Sequence, residues 1–143
     1  MIPEKQQMFG AARSGRTPEL VRLLERGVDP NIQDWNGETP LHAAIWGRQA
    51  GCVQNLLSHG ADPNAGNNNG DTPLHFAAHV GDPGCMRILL SHGADPELRN
   101  LEGLTARDLA LHQGHADCVD LLDAHTGKEC LDALWSSRMG GPS

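Results

Sequence analysis

No tyrosine occurs in this 143-residue chain, whose only Phe, Trp or Tyr rings are three tryptophans and two phenylalanines. A compact globule of this size buries a sizeable core, so 38% hydrophobic content with 3% aromatic is lean for one. Long apolar runs are missing as well. Nothing approaches the ~18 residues of a membrane span, and the N-terminal MIPEKQQMFG has no apolar stretch of the kind that opens a secretory signal. No Asn-x-Ser/Thr acceptor is present either, and the expectation is a chain of the cytoplasm or nucleus that does not bind membrane. Basic charge is scarce. Residues 1–34 carry five basic and five acidic side chains, while the remainder has six against thirteen, for a net charge of −7. An acidic body argues against nucleic acid, whose binding depends on neutralising phosphates. Arg13, Arg16, Arg22 and Arg26 could form a local basic patch, but a solvated helix face is the commoner meaning of such a set.

What is present is a period. The stretch GETPLHAAIWGRQAGCVQNLLSHGADPNAGNNN begins at Gly37 and starts again at Gly70 as GDTPLHFAAHVGDPGCMRILLSHGADPELRN. Gly37, Gly70 and Gly103 share a spacing of 33, as do Gly27, Gly60 and Gly93, and Cys52, Cys85 and Cys118. A period near 33 predicts stacked units with a thin seam of Leu, Ala, Val and Ile between them, which needs few rings. It also disposes of the cysteines. Equivalent residues of stacked units sit about a helix diameter apart, ~10 Å, beyond the roughly 7 Å reach of a disulfide. Three of the four cysteines are therefore expected as reduced core residues, with Cys130 outside the column.

In chain order, the first unit is degenerate, with Gln6-Gln7 where later units have Thr-Pro and Phe9 where they have His. A terminal unit has one face in water, and polar replacements suit it. The spacing predicts a first helix over 6–14 and a second capped by Thr17, with Pro18 in its first position and Gly27 after its end. Asp29-Pro30-Asn31 and Asn36-Gly37 are turn signals leading to a finger with Trp35 at the tip. The next units open on Thr39-Pro40-Leu41-His42 and Thr72-Pro73-Leu74-His75. Asp82 and Pro83 start a helix in the third unit.

These two Thr-Pro-Leu-His tetrads, with Leu-Leu-x-x-Gly-Ala-Asp-x-Asn at 56–64, resemble the ankyrin repeat over residues 6–125. The resemblance implies an all-α ankyrin-repeat solenoid of stacked helix-turn-helix units with β-hairpin-like finger loops. Its repeats are expected at about 4–36, 37–69, 70–102 and 103–125, with a tail over 126–143. Two departures stand out. Gly47 comes one position early and leaves Arg48 where the family has glycine, so that inter-helix turn is expected to be the least regular. Arg107 replaces a core leucine, implying a face in water or one covered by the tail. In that tail Cys130, Leu131, Leu134 and Trp135 make one apolar stripe, suited to a capping helix or to a partner-binding motif, before a flexible end.

Eight histidines raise the question of metal or catalysis. The resemblance implies that His42 and His75 bond backbone and tie neighbouring units. His59, His92 and His125 fall near helix ends, where a cation is mildly favourable. His79 and His112 share a column with Arg13 and Trp46. His75 and His79 have the i, i+4 spacing of a zinc pair but no third and fourth ligand to converge on them. No Gly-x-Ser-x-Gly or complete phosphate loop occurs. No enzyme activity, metal or cofactor is expected. What remains is a surface for another protein, presented by a chain that is monomeric on its own. The resemblance places it at the finger tips and the concave face: Trp35, Asn36, Glu38 and Trp46; Asn68, Asn69, Asp71 and His79; Leu101, Glu102, Leu104 and His112. The module would serve as a scaffold or adaptor, or alternatively as a stoichiometric inhibitor masking a kinase or transcription factor. Asn31 and Asn64, in Asp-Pro-Asn turns, resemble asparagines that are hydroxylated in other ankyrin proteins.

Overall fold

The computed structural model describes residues 3–126. The apolar stripe of the tail and Cys130 lie outside them. Among the described residues there are eight helices in four pairs and no strand. The pairs are α1 (Glu4–Ser14) with α2 (Thr17–Glu25), α3 (Pro40–Trp46) with α4 (Ala50–Ser58), α5 (Pro73–Val80) with α6 (Pro83–Ser91), and α7 (Ala106–Gln113) with α8 (Ala116–Thr126).

Local chemistry sets the helix starts. Proline at the first position of α3, α5 and α6 gives up an N–H that has no helical partner there. At α5 the Thr72 hydroxyl accepts from the backbone N–H of His75 at 3.3 Å, while the Thr72 N–H donates to His75 Nδ1 at 3.1 Å. At α7 Asp108 takes the part of the histidine: its carboxylate accepts from the Thr105 N–H at 3.0 Å, and its own N–H donates to the Thr105 hydroxyl at 3.2 Å. Asp82 caps α6 through Cys85 N–H at 3.2 Å. Thr17 departs from expectation. It already lies inside α2 behind Arg16, and its hydroxyl contacts the Gly15 carbonyl and Cys52 Sγ instead of capping.

The pairs stack in two layers, α1 on α3 on α5 on α7, and α2 on α4 on α6 on α8. Between them runs a seam of small and aliphatic side chains in which Leu20, Leu23, Leu41, Ile45, Leu56, Leu74, Leu89 and Leu122 are all buried. Each such side chain contributes about 1.5–3 kcal/mol by leaving water. Cys52, Cys85 and Cys118 are buried in the same seam as free thiols. Burial pushes all three thiols up, Cys85 to about 12 with help from the Asp82 carboxylate, so they stay protonated and behave as small apolar residues.

Hydrogen bonds at 29 to 36 residues' separation join unit to unit. The Thr39 N–H donates to His42 Nδ1 at 3.0 Å, which leaves Nε2 to carry the proton of the neutral ring and donate to the Asp71 carbonyl at 2.9 Å. His75 does the same for the Leu104 carbonyl at 2.8 Å. The Asn31 side chain donates to the Gly60 carbonyl at 3.2 Å and accepts from the Asp62 N–H at 2.7 Å. Asn64 repeats this pattern on Gly93 and Asp95. The column then ends in Glu97, which has no amide to continue it.

The second unit carries the irregular turn. In the other units a glycine with positive φ follows the first helix: Gly15 (77°), Gly81 (73°) and Gly114 (77°). Here Arg48 takes that left-handed conformation at φ 58°, and its guanidinium donates to the Val80 carbonyl of the next unit. Gly47 has an ordinary φ of −83° but touches the unit before it, because a Cβ there would overlap the Arg13 carbonyl. Glycine stands where two backbones meet, and arginine bears the strained turn. Arg107 is half-buried rather than simply facing water: its guanidinium forms a forked pair with Asp123 on α8, Nε to Oδ1 at 2.6 Å and Nη2 to Oδ2 at 3.2 Å.

Candidate functional site

The fingers position the site. In each, one side chain closes the loop from within: Asp34 accepts from the N–H groups of Asn36 and Glu38, Asn67 from Asn69 and Asp71, and Asn100 from Glu102 and Leu104. The fingers also bond to one another. Asn68 N–H donates to the Asn36 carbonyl at 2.8 Å, Asn68 Nδ2 to the Trp35 carbonyl at 2.9 Å, and Leu101 N–H to the Asn69 carbonyl at 2.9 Å. A tip held this way is preorganised, and an exposed side chain on it is presented with little backbone entropy left to lose. Trp35 is 98% exposed and Leu101 78% exposed.

Behind the fingers, the first helices and the finger bases enclose two grooves. One, of about 530 Å³, is lined by Gln6, Phe9, Gly10 and Arg13 of α1, Asp34 and Glu38 of the first finger, Ala43 and Trp46 of α3, and Phe76 of α5. The other, of about 560 Å³, runs from Trp46 past Asp71, Phe76 and His79 to Asn100, Glu102, Leu104, Asp108 and His112. Trp46 is the wall between them. It is 46% exposed, stacks on His79 with centroids 6.1 Å apart and planes 12° from parallel, and tilts against Phe76 at 5.9 Å. Phe76 is fixed in turn by an edge contact with the His42 ring at 4.7 Å.

The sequence-derived residues thus fall into two groups. Trp46, Asp71, His79, Glu102, Leu104 and His112 come together in the second groove, and Glu38 joins Trp46 in the first. Trp35, Asn36, Asn68, Asn69 and Leu101 stand apart on the tips. Two residues escaped sequence reasoning. Phe9 and Phe76 are the only phenylalanines in the chain, and both line the first groove. The signal was there: Phe9 occupies the histidine column, and Phe76 follows the signature histidine.

Among their described lining residues both grooves are acidic, the first with Asp34 and Glu38 against Arg13 and the second with Asp71, Glu102 and Asp108. Burial and the neighbouring Asp34 carboxylate raise the Glu38 pKa, against lowering by Asn67 and Arg13. Asp108 is held below its ordinary value, chiefly by the Thr105 N–H, and keeps its charge. Among the described residues no group of three or more His, Cys, Asp or Glu side chains is placed to hold a metal ion, and no helix is long and apolar enough to cross a membrane.

The family model of ankyrin repeats, in three copies, matches residues 8–100 and 49–133. Among curated proteins, mouse protein phosphatase 1 regulatory subunit 12A is 48% identical over 50 residues, covering 32% of this chain and 5% of its own length. Human neurogenic locus notch homolog protein 1 is 50% identical over 46 residues, 32% of this chain and 2% of its own length. Rat oxysterol-binding protein-related protein 1 is 43% identical over 54 residues, 36% of this chain and 6% of its own length. The chain spans only a small part of each of these relatives.

Proposed function

The chain belongs to the ankyrin-repeat family, and on that premise we propose that it is a non-catalytic protein-binding module acting as a scaffold or adaptor. The observation that carries this reading is the pairing of Trp35 with Trp46. One stands almost fully in water on a hydrogen-bonded tip, and the other is half-exposed as the common wall of two grooves. Large apolar side chains left in water on a rigid frame favour a partner that covers them, and tryptophan is enriched among residues that dominate binding energy. The family relationship supports the same reading, and the matched relatives include a protein whose name marks it as a regulatory subunit.

Affinity capture from lysate with wild type beside the Trp35→Ala/Trp46→Ala variant tests it. The expected outcome is loss of specific prey, with at least a tenfold rise in Kd, about 1.4 kcal/mol, for the partner recovered. Identical prey from both proteins would overturn the site. A captured partner whose own activity falls on addition of the purified chain would favour the inhibitor over the adaptor.

A further inference from the structure

The two grooves are contiguous but differ in what they offer. The first sets Phe9, Trp46, Phe76 and Ala43 beside Gln6, Arg13, Asp34 and Glu38, and its volume of about 530 Å³ has room for a bulky apolar side chain against the three rings. Among its described lining residues the second has the carboxylates of Asp71, Glu102 and Asp108 and no lysine or arginine. Among the described lining residues of both grooves Arg13 is the one lysine or arginine, set against five carboxylates when Asp34 and Glu38 are included, while Arg99 and Arg107 act on Asp108 from outside the lining. We infer that the occupant is an extended segment of a partner protein that places a bulky apolar side chain in the first groove and a lysine or arginine over the second.

This rests on the protein-binding reading above and names the chemistry of the partner. Glu102 is the free end of the acidic border: its side chain is exposed, and its hydrogen bond to Asn100 runs through its backbone N–H. Asp71 already accepts from Asn100 Nδ2 at 2.8 Å and serves as the second acceptor for an incoming cation. Asp108 remains charged within its cap, but Arg99 and Arg107 already act on it, so Glu102 and Asp71 carry the attraction for a cation. At the other end burial comes first in raising the Glu38 pKa and the Asp34 carboxylate second, and Arg13 already opposes the rise, so the cation of the partner is assigned to the second groove and not to this one.

Other occupants fit worse. Nucleic acid would bring phosphates against these carboxylates. A second copy of the chain carries a net charge of −7. Spacing favours an extended strand. The grooves are centred roughly two helix spacings apart, ~15–20 Å, which an extended chain covers in about five residues.

The test is selection from a phage-displayed library of random dodecapeptides on the wild-type chain, followed by anisotropy titration of the selected peptides. The selected sequences are expected to share one large apolar residue and, about five positions away, a lysine or arginine. Glu102→Lys should weaken them about tenfold or more, and Trp46→Ala should abolish binding. Glu25→Lys, the same charge change at an exposed position of α2 remote from the grooves, should leave Kd within about twofold. Selection of acidic or neutral peptides, equal loss with Glu25→Lys and Glu102→Lys, or no enrichment at all would each overturn the inference. If a captured protein partner depends on the tryptophans while the peptides show no basic signature, this inference alone fails. If capture ignores the tryptophans, the binding site itself fails.

Discussion

His42 shows how a single side chain joins local and long-range structure. Fully buried, it caps its own helix through Nδ1 and reaches the next finger through Nε2–H. Desolvation lowers its pKa, and the Asp71 carbonyl only partly opposes this. The ring is therefore neutral in the fold. As pH falls, the unfolded chain takes up the proton first. The stability contributed is complete above the unfolded value of about 6.5 and declines as pH drops toward the lower folded value. Urea unfolding midpoints should hold steady between about pH 8 and 7 and fall below about 6.5, with a shallower acid slope in His42→Gln. An unchanged acid slope in that variant would remove His42 as the cause. The bonding role of His42 was legible from the Thr-Pro-Leu-His tetrad. The apolar role of Phe9, at the same position one unit earlier, was not, because a missing signature residue reads as decay until the groove it lines is seen.

At the scale of the element, the turn between α3 and α4 gives the sharpest contrast. Gly47 is required for contact and Arg48 tolerates a left-handed φ, whereas Gly60 has a positive φ of 95° with open space around it. Gly60→Ala should cost about 1–2 kcal/mol of backbone strain alone. Gly47→Ala must push α3 off the Arg13 carbonyl and should cost more, about 2–4 kcal/mol. Chemical denaturation of the two variants orders them; equal losses would mean that α1 yields without consequence. The sequence showed that this turn departs from its neighbours. It did not show which backbone Gly47 touches, since that partner lies 34 positions earlier. Thr17 is a smaller case of the same limit. A Thr-Pro pair reads as a cap, but here the hydroxyl is occupied by Gly15 and Cys52.

The whole molecule is close to one-dimensional, each pair resting on the one before and the one after. Such stacks owe their stability to interfaces between neighbours, so an end pair opens more easily than one held on both sides. Amides of α1 and α2 should exchange with deuterium faster than those of α3 through α6. Uniform protection across these helices would instead indicate a single cooperative unit. The fold was readable from the period because every unit repeats the same burial pattern. The grooves were not, because each draws its walls from three units at once: Phe9, Trp46 and Phe76 are scattered over nearly seventy positions and meet only after stacking.

Trp46 borders both grooves and stacks on an imidazole, so the indole is a built-in optical gauge. Filling either cleft displaces water from the same chromophore. In a Trp35→Phe/Trp135→Phe background its emission alone reports occupancy of two sites through one channel, and separating their contributions comes down to which end of the ligand is trimmed.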